Sequence, residues 1–169
     1  VTSKKGQIFL INLKNNQTKI IYKVKDAFYS GQGGLLDVIF VNDDALDYIF
    51  TCYNDVNGEL FIKKYNFSNK KLLNEKIIFQ SNYKNKKSVH FGCRLVNYKK
   101  TLLISLGDRG NRENSQNPNN FPGSIVQLSF NGTKLGHDKD KWLKGIYSIG
   151  HRNPQGLIYL EEFDQIWSH

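Results

Sequence analysis

The chain has 169 residues, of which 39% are hydrophobic and 13% aromatic, enough for one domain with a sizeable core. No apolar run approaches the roughly 18 residues of a membrane-spanning helix, and the first residues have no apolar signal-peptide region. The net charge of +9 indicates attraction to anions. The lysines fall mostly in turns, without a recognition helix or an RNA-binding signature, so we expect no nucleic-acid partner.

The two cysteines, Cys52 and Cys93, are too few and too far apart for a metal site or a disulfide framework. Each lies in an apolar stretch that reads as a strand. We therefore expect two buried free thiols, with a single bridge between neighbouring strands as the alternative. The cellular compartment does not follow from either arrangement.

Two kinds of hairpin alternate along the chain. One kind begins at a glycine and alternates apolar with polar residues, which predicts strands with one face in water. The other kind is more apolar, which predicts strands buried on both faces. In chain order the hairpins lie at 6–22, 34–53, 58–79, 92–106, 123–132 and 156–167, the first, third and fifth being of the alternating kind.

The apolar hairpins repeat with a period near 60 residues, marked by Gly34, Gly92 and Gly156. A period of this length with about four strands per unit is typical of β-propeller blades. We predict an all-β fold, a single partial β-propeller domain over residues 1–169. Its parts are an outer hairpin at 6–24, blades at 34–80 and 92–135, and an inner hairpin at 156–168.

These parts add up to about three blade-equivalents, whereas propellers close with at least about four. One explanation is that the chain is a fragment of a longer propeller. The other is that copies associate, so that the last inner hairpin of one meets the first outer hairpin of another. We favour the fragment, because open blade edges are an aggregation hazard.

The hairpin at 92–106 brings a histidine and a carboxylate together. A turn near Asn97–Lys100 pairs the far ends of its strands, so His90 and Asp108 come within hydrogen-bonding distance. A carboxylate on one ring nitrogen fixes the tautomer and raises the basicity of the other nitrogen. The spacing therefore predicts a general base.

Three loops enter the predicted inner strands, at 29–33, 86–90 and 149–155. In a propeller such loops gather on one face around the central channel. The residues expected in this pocket are Gln32, His90, Arg152 and Asn153, with Asp108 behind His90. A guanidinium on a rigid turn suits a planar anionic ligand. We predict no metal ligand within the chain, since the residues after Asp108 lack the acidic spacing of an EF-hand.

Four motifs in this order resemble those of the soluble glucose/sorbosone dehydrogenase family, over nearly the whole chain. This family comprises aldose sugar dehydrogenases that depend on pyrroloquinoline quinone (PQQ) and have a six-bladed propeller. The motifs are Gly31-Gln32-Gly33-Gly34-Leu35-Leu36, His90-Phe91-Gly92-Cys93-Arg94-Leu95, Gly107-Asp108-Arg109-Gly110 and Gly150-His151-Arg152-Asn153-Pro154-Gln155-Gly156-Leu157.

The resemblance implies a role for each candidate residue. His90 is the base that takes the proton from the anomeric hydroxyl of the sugar, and Asp108 orients it. Arg152 polarises the quinone carbonyl that accepts the hydride, Asn153 contacts the cofactor, and Gln32 lies near both cofactor and substrate. A base on the hydroxyl and a cation near the quinone are what this oxidation requires.

The resemblance also implies partners outside the chain. They are an aldose substrate, an external electron acceptor, a Ca²⁺ whose ligands lie beyond His169, and either the remaining blades or a second copy. We expect a periplasmic or secreted protein whose signal peptide is not in this chain, and an isolated 169-residue chain that is inactive. The alternative is a non-catalytic propeller that serves as a binding module. His90, Asp108 and Arg152 together favour the enzyme.

Overall fold

The computed structural model describes residues 1–136 and 141–169, in which the regular secondary structure is almost all β-strand. No helix in these ranges has the length and apolar character needed to cross a membrane. The strands are β1 Gln7–Ile11, β2 Thr18–Lys23, β3 Leu35–Asp43, β4 Leu46–Asn54, β5 Leu60–Ser68, β6 Lys71–Gln80, β7 Gly92–Tyr98, β8 Thr101–Leu106, β9 Ser124–Ser129, β10 Ile146–Ile149, β11 Leu157–Leu160 and β12 Gln165–Ser168, with short 3₁₀ helices at Arg112–Gln116 and Glu161–Phe163.

The strands form two complete four-stranded sheets and two hairpins. Strands β3 to β6 make one antiparallel sheet in sequence order, and β7 to β10 make the next. Hairpins β1–β2 and β11–β12 flank them. Among the first strands of successive units, β3 contacts β7, and β7 contacts β11. Sheets that meet along their first strands radiate from a common axis, so the predicted β-propeller architecture is confirmed.

The core lies between sheets. One cluster fills the space between the two complete blades and includes Phe50, Ile62 and Ile104. A second cluster packs hairpin β1–β2 against the first blade through residues such as Ile8 and Tyr65. Strands β4 and β8 are buried along most of their length because both of their faces meet a neighbouring sheet. Their sequences are accordingly apolar rather than alternating.

The second complete blade ends later than the sequence suggested. Its fourth strand is β10, which ends at Ile149, so the sheet extends beyond the predicted boundary at 135. Between the turn at Asn131-Gly132 and residue 136 the described residues form an isolated bridge, between Leu128 and Lys134, and no strand. The polar residues that follow in the sequence do not alternate with apolar residues. Strand β10 does contain apolar residues and takes the position of the fourth strand. Residues 137–140 lie outside the described residues.

A disulfide joins Cys52 on β4 to Cys93 on β7, with the two Cα atoms 5.9 Å apart. The expectation of free thiols is therefore wrong, and the alternative of a single bridge between neighbouring strands is correct. Both residues are fully buried in the cluster between the blades, where β4 and β7 contact each other. The bridge thus fastens one complete blade to the next.

A buried lysine ties hairpin β1–β2 and the loop after it to the first blade. The Lys63 side chain is 3% exposed, and its Nζ lies 2.6 Å from Asp26 and 2.7 Å from Glu75. The Tyr22 hydroxyl donates to the second oxygen of Glu75. Burial opposes the charge on Lys63, but the two carboxylates outweigh it and raise its pKa. Sheet and hairpin are held by this cluster as well as by apolar packing.

Glu75→Gln should destabilise the protein at neutral pH. Desolvation raises the pKa of Glu75, but the bonds from Lys63 and Tyr22 outweigh it, so the pKa lies below 4.5. A carboxyl with a depressed pKa stabilises the fold above its unfolded pKa and loses that effect as pH falls through the folded pKa. Because the side chain is 38% exposed, screening limits the expected loss to about 1 kcal/mol.

Urea unfolding at a series of pH values measures this effect. The difference between wild type and Glu75→Gln should be largest near pH 7 and should shrink below about pH 4.5. Glu162→Gln is the control, because Glu162 is exposed and has no ion pair among the described residues. A difference that stays constant down to pH 3 would contradict the role of the carboxylate charge.

Candidate active site

The hairpin β7–β8 positions the candidate base. Its turn residues, Lys99 and Lys100, both have positive φ (48° and 59°), as in the tight turns that match strand twist. The register pairs Tyr98 with Thr101 at the turn and Gly92 with Leu106 at the open end. The chain segments beyond the open end therefore run side by side, and they carry His90 and Asp108.

His90 and Asp108 form the predicted contact. The ring Nδ1 lies 2.7 Å from Asp108 Oδ1. Asp108 is 1% exposed, whereas the side chain of His90 is 19% exposed. An ionised carboxylate accepts the proton of Nδ1–H, which leaves the lone pair on Nε2. Nε2 has no hydrogen-bond partner among the described residues, so it is available to a ligand.

Backbone contacts fix the orientation of both partners. The N–H of Gly110 also donates to Asp108 Oδ1, at 2.7 Å, and the second oxygen, Oδ2, is buried without a partner. His90 has a φ of +51°, a conformation that residues other than glycine seldom adopt. A Cβ on Gly107 would collide with the carbonyl oxygen of His90, so glycine permits this close approach.

Gln32 reaches His90 from the preceding repeat. Its Oε1 accepts the backbone N–H of His90 at 2.7 Å. The amide nitrogen of Gln32 has no partner within the described part of the chain and remains free to donate. A residue expected near the cofactor is thus also a brace for the histidine backbone.

The loop that carries Arg152 runs beside Asp108. The N–H of Asp108 donates to the carbonyl oxygen of Arg152 at 2.8 Å. The Arg152 side chain is exposed and has no hydrogen bond or ion pair to any described residue. The structure therefore brings the backbone of Arg152 to the histidine–aspartate pair. The convergence of its guanidinium on the same ligand remains a prediction.

Asn153 and Gln32 line a shared cavity of about 330 Å³. Asn153 Oδ1 accepts from the side chain of Gln155 at 2.9 Å. His90, Asp108 and Arg152 are not among the residues that line this cavity. Two of the predicted cofactor-binding residues thus face one space, next to the histidine–aspartate pair rather than around it.

Sequence reasoning missed two cations at this cavity, Lys4 and Arg94. Arg94 donates from Nε to the carbonyl oxygen of Gln155 at 2.8 Å, and its guanidinium lies 3.6 Å from Asp37. Asp37 accepts the N–H of Leu95 at 2.9 Å, and burial raises the pKa of Asp37. These contacts join strands β3 and β7 to the loop before β11. The sequence signal for Arg94 was its position in the motif His90-Phe91-Gly92-Cys93-Arg94-Leu95.

Radiating four-stranded sheets, with a histidine before β7 paired to a carboxylate after β8, define a β-propeller with a candidate site for proton transfer. A family model described as Glucose / Sorbosone dehydrogenase matches residues 1–169. The chain belongs to the glucose/sorbosone dehydrogenase family.

Known proteins with similar sequence or structure agree with this assignment. The aldose sugar dehydrogenase YliI of Escherichia coli is 29% identical over 158 residues, which are 85% of this chain and 42% of that protein. The crystal structure of a glucose dehydrogenase superposes with a TM-score of 0.85 at 27% identity, covering 99% of this chain and 52% of the other. The PQQ-bound aldose sugar dehydrogenase of Streptomyces coelicolor shares the fold, with a TM-score of 0.85 at 22% identity over 97% of this chain and 50% of that one.

The chain spans about two fifths of the length of the curated relatives it matches and about half of the length of these solved chains. Residues of the relatives outside this match have no counterpart here. The candidate site described above is therefore built from two complete blades and two hairpins.

Proposed function

We propose that this chain is part of a PQQ-dependent enzyme that oxidises aldoses at the anomeric carbon. The observation that carries the proposal is the 2.7 Å contact between His90 and buried Asp108, with Nε2 left free. Family membership supports an oxidoreductase that acts on sugars. The name of the Escherichia coli relative supports an aldose substrate, and the PQQ-bound relative supports the cofactor.

The residues present fit a planar cofactor with several carboxylates. Arg152 offers a guanidinium with no competing partner in the described ranges, and the amide nitrogen of Gln32 is equally free. The adjacent cavity adds Asn153 and the two cations Lys4 and Arg94. Cations and amide donors of this kind are suited to anionic groups on a planar ligand.

When bound, PQQ supplies the quinone that accepts a hydride from C1 of the sugar. In our proposal, His90 Nε2 takes the proton of the C1 hydroxyl. Asp108 holds the ring through Nδ1–H and stabilises the imidazolium that forms. Arg152 and Asn153 bind the cofactor, and the free amide of Gln32 donates to the ligand.

The active enzyme also needs components outside this chain. We propose that further blades complete the ring, which the partial coverage of the relatives supports. We also propose that the complete protein binds Ca²⁺ through ligands outside this chain. It passes electrons to an external acceptor. The Cys52–Cys93 disulfide supports a periplasmic or secreted location, because disulfides persist in oxidising compartments. The 169 residues alone should then be inactive.

Reconstitution of the complete protein with PQQ and Ca²⁺, followed by dye-linked oxidation of an aldose, tests this proposal. Activity should depend on added PQQ. Arg152→Gln should raise the PQQ concentration for half-maximal reconstitution about tenfold, the effect of losing one charge-assisted hydrogen bond. Arg112→Gln is the matched control, since Arg112 is exposed and its side chain has no hydrogen bond or ion pair within the described residues.

Two results would count against parts of this proposal. The first is a folded protein that oxidises no aldose with PQQ and Ca²⁺ present. The second is a PQQ requirement that Arg152→Gln leaves unchanged. The first result would favour the non-catalytic binding module, and the second would remove Arg152 from the cofactor site.

A further inference from the structure

Arg109 is buried at the base of the candidate site. It is 1% exposed, although it follows Asp108 in a polar loop. Its Nη2 donates to the carbonyl oxygens of Asn85 and Lys87, at 2.9 and 2.8 Å, and its Nη1 donates to the carbonyl oxygen of Val89. One guanidinium thus holds three alternate carbonyl groups of the segment 85–89.

No carboxylate pairs with this guanidinium among the described residues. Its partners are neutral carbonyl groups and the ring of Phe91, whose centroid lies 3.3 Å from the guanidinium carbon. Burial lowers the pKa of Arg109 to about 10, and Nε is buried without a partner. A buried charge without an ion pair opposes folding, so a contribution to stability does not explain why Arg109 is buried.

The segment that Arg109 holds leads directly into His90. The side-chain amide of Asn85 donates back to the carbonyl oxygen of Arg109 at 3.0 Å, at the far end of the segment. The N–H of Arg109 lies 3.3 Å from the carbonyl oxygen of His90, at the near end. Arg109 therefore contacts the segment 85–90 at both ends and along its length.

The same residue follows Asp108 directly, so the position of Arg109 is tied to both members of the pair. A shift of the segment 85–89 would move the imidazole away from a carboxylate that is itself fixed by the N–H of Gly110. Misplacement of a reacting group by about 1 Å can cost a factor of about 100 in rate.

We propose that Arg109 is the positioning residue of the His90–Asp108 pair. It clamps the segment 85–89 and thereby sets the distance from His90 Nδ1 to Asp108. This inference rests on the proposed function for its kinetic consequence, but the geometric consequence holds whether or not the protein oxidises a sugar. Arginine is required because a planar fork reaches several carbonyl groups at once, whereas a lysine ammonium is a single point of charge.

The test compares Arg109→Met, Arg109→Lys and the control Arg112→Met in the complete protein. The kinetic readout is dye-linked aldose oxidation with PQQ and Ca²⁺ present. Arg109→Met should lower kcat about 10- to 100-fold, with KM for the aldose changed less than threefold. Arg109→Lys should recover part of this loss, and Arg112→Met should show none.

The second readout is proton NMR of the ligand-free protein. An Nδ1–H that donates to a buried carboxylate exchanges slowly and gives a downfield signal, which His90→Ala identifies by its absence. Wild type and Arg112→Met should show the signal, Arg109→Met should lose it, and Arg109→Lys should retain part of it. If the methionine variant does not fold, the lysine variant decides.

The outcomes separate this inference from the proposed function. A folded Arg109→Met that keeps both kcat and the downfield signal would overturn the positioning role. A lower melting temperature with both readouts unchanged would do the same, because it would show a structural role only. A wild type that oxidises no aldose, with a signal that depends on Arg109, would refute the proposed function and support the clamp.

Discussion

Asp108→Asn should lower kcat for aldose oxidation about 10³-fold in the complete protein reconstituted with PQQ and Ca²⁺. The side chain keeps its size, so the loop and the hydrogen bond from Gly110 to Oδ1 can persist. The negative charge next to His90 Nδ1 is lost. The imidazolium that forms on proton transfer then has no counter-charge at 2.7 Å.

The amide also changes which tautomer is favoured. Where the amide nitrogen takes the Oδ1 position, the hydrogen bond from Gly110 is lost, and the amide donates to Nδ1 and drives the proton of His90 to Nε2, the atom that must accept the substrate proton. The loss should therefore appear in kcat and in kcat/KM, with little change in KM for the sugar. Stopped-assay or steady-state dye reduction over a range of aldose concentrations measures both constants.

Two further variants show whether the pair acts as a unit. The double variant His90→Ala/Asp108→Asn should be no slower than His90→Ala alone, because the carboxylate acts through the histidine. Asp55→Asn is the control, since the donors to the Asp55 carboxylate among the described residues lie in its own turn, at Asn57 and Glu59. Additive losses in the double variant, or an equal loss in Asp55→Asn, would contradict the assignment.

The contact at the centre of this site could be predicted because it depends on local rules. The apolar residues of the hairpin at 92–106 indicated its strands, and the turn at Lys99–Lys100 set their register, so the pairing of the chain ends followed. His90 and Asp108 lie just beyond those ends. When the position of a side chain follows from strand register, it can be predicted from the sequence alone.

Arg109 could not be predicted in the same way. Arginine is almost always exposed, and nothing in a polar loop shows that this one is buried. Its partners are backbone carbonyl groups of 85–89, which every residue type possesses. When a side chain is buried because it binds the backbone of a distant segment, the residue types in the sequence do not reveal the burial.

The direction of the Arg152 side chain lies between these cases. The glycine- and proline-containing turn placed its backbone beside Asp108, as the bond from Asp108 N–H to Arg152 O records. The guanidinium is exposed and has no described contact that would orient it. The direction of such an unrestrained side chain depends on the ligand that it binds.

The end of the second blade was mispredicted for a different reason. The turn at Asn131-Gly132 is a good hairpin signal, but a turn is followed by a strand only if the next residues can cover an edge. The stretch after Lys134 is polar, and β10 at 146–149 takes the place instead. The turn residues indicated a hairpin, but the residues after the turn lack the apolar pattern of a second strand.

Replacing both Cys52 and Cys93 with serine should lower the free energy of unfolding by about 4 kcal/mol. The bridge closes a sequence separation of 41 residues, and the entropy of such a loop in the unfolded chain gives this magnitude at 25 °C. The midpoint of thermal unfolding should fall by about 10 °C. Urea unfolding without reductant measures the free energy, and the double variant Cys52→Ala/Cys93→Ala separates loss of the bridge from burial of hydroxyl groups.

The effect should reach the candidate site as well as the global stability. Cys93 has a φ of +71° and lies where the pairing of β7 with β8 is irregular, between Gly92 and Leu95. The bridge holds this irregular stretch against β4, directly after the segment that carries His90. Amide hydrogen exchange at His90 and Phe91 should therefore accelerate more than exchange at Ile8 on β1, which packs in the other core cluster.

Reduction provides an independent check, because both cysteines are fully buried. A reductant can reach the bridge only when the two blades open, so reduction of the native protein should be slow and should speed up with urea. Two reactive thiols in the protein denatured without reductant would show that the bridge is absent. A double variant as stable as wild type would show that apolar packing alone joins the blades, and the site would then rest on the backbone contacts of Gln32 and Arg109.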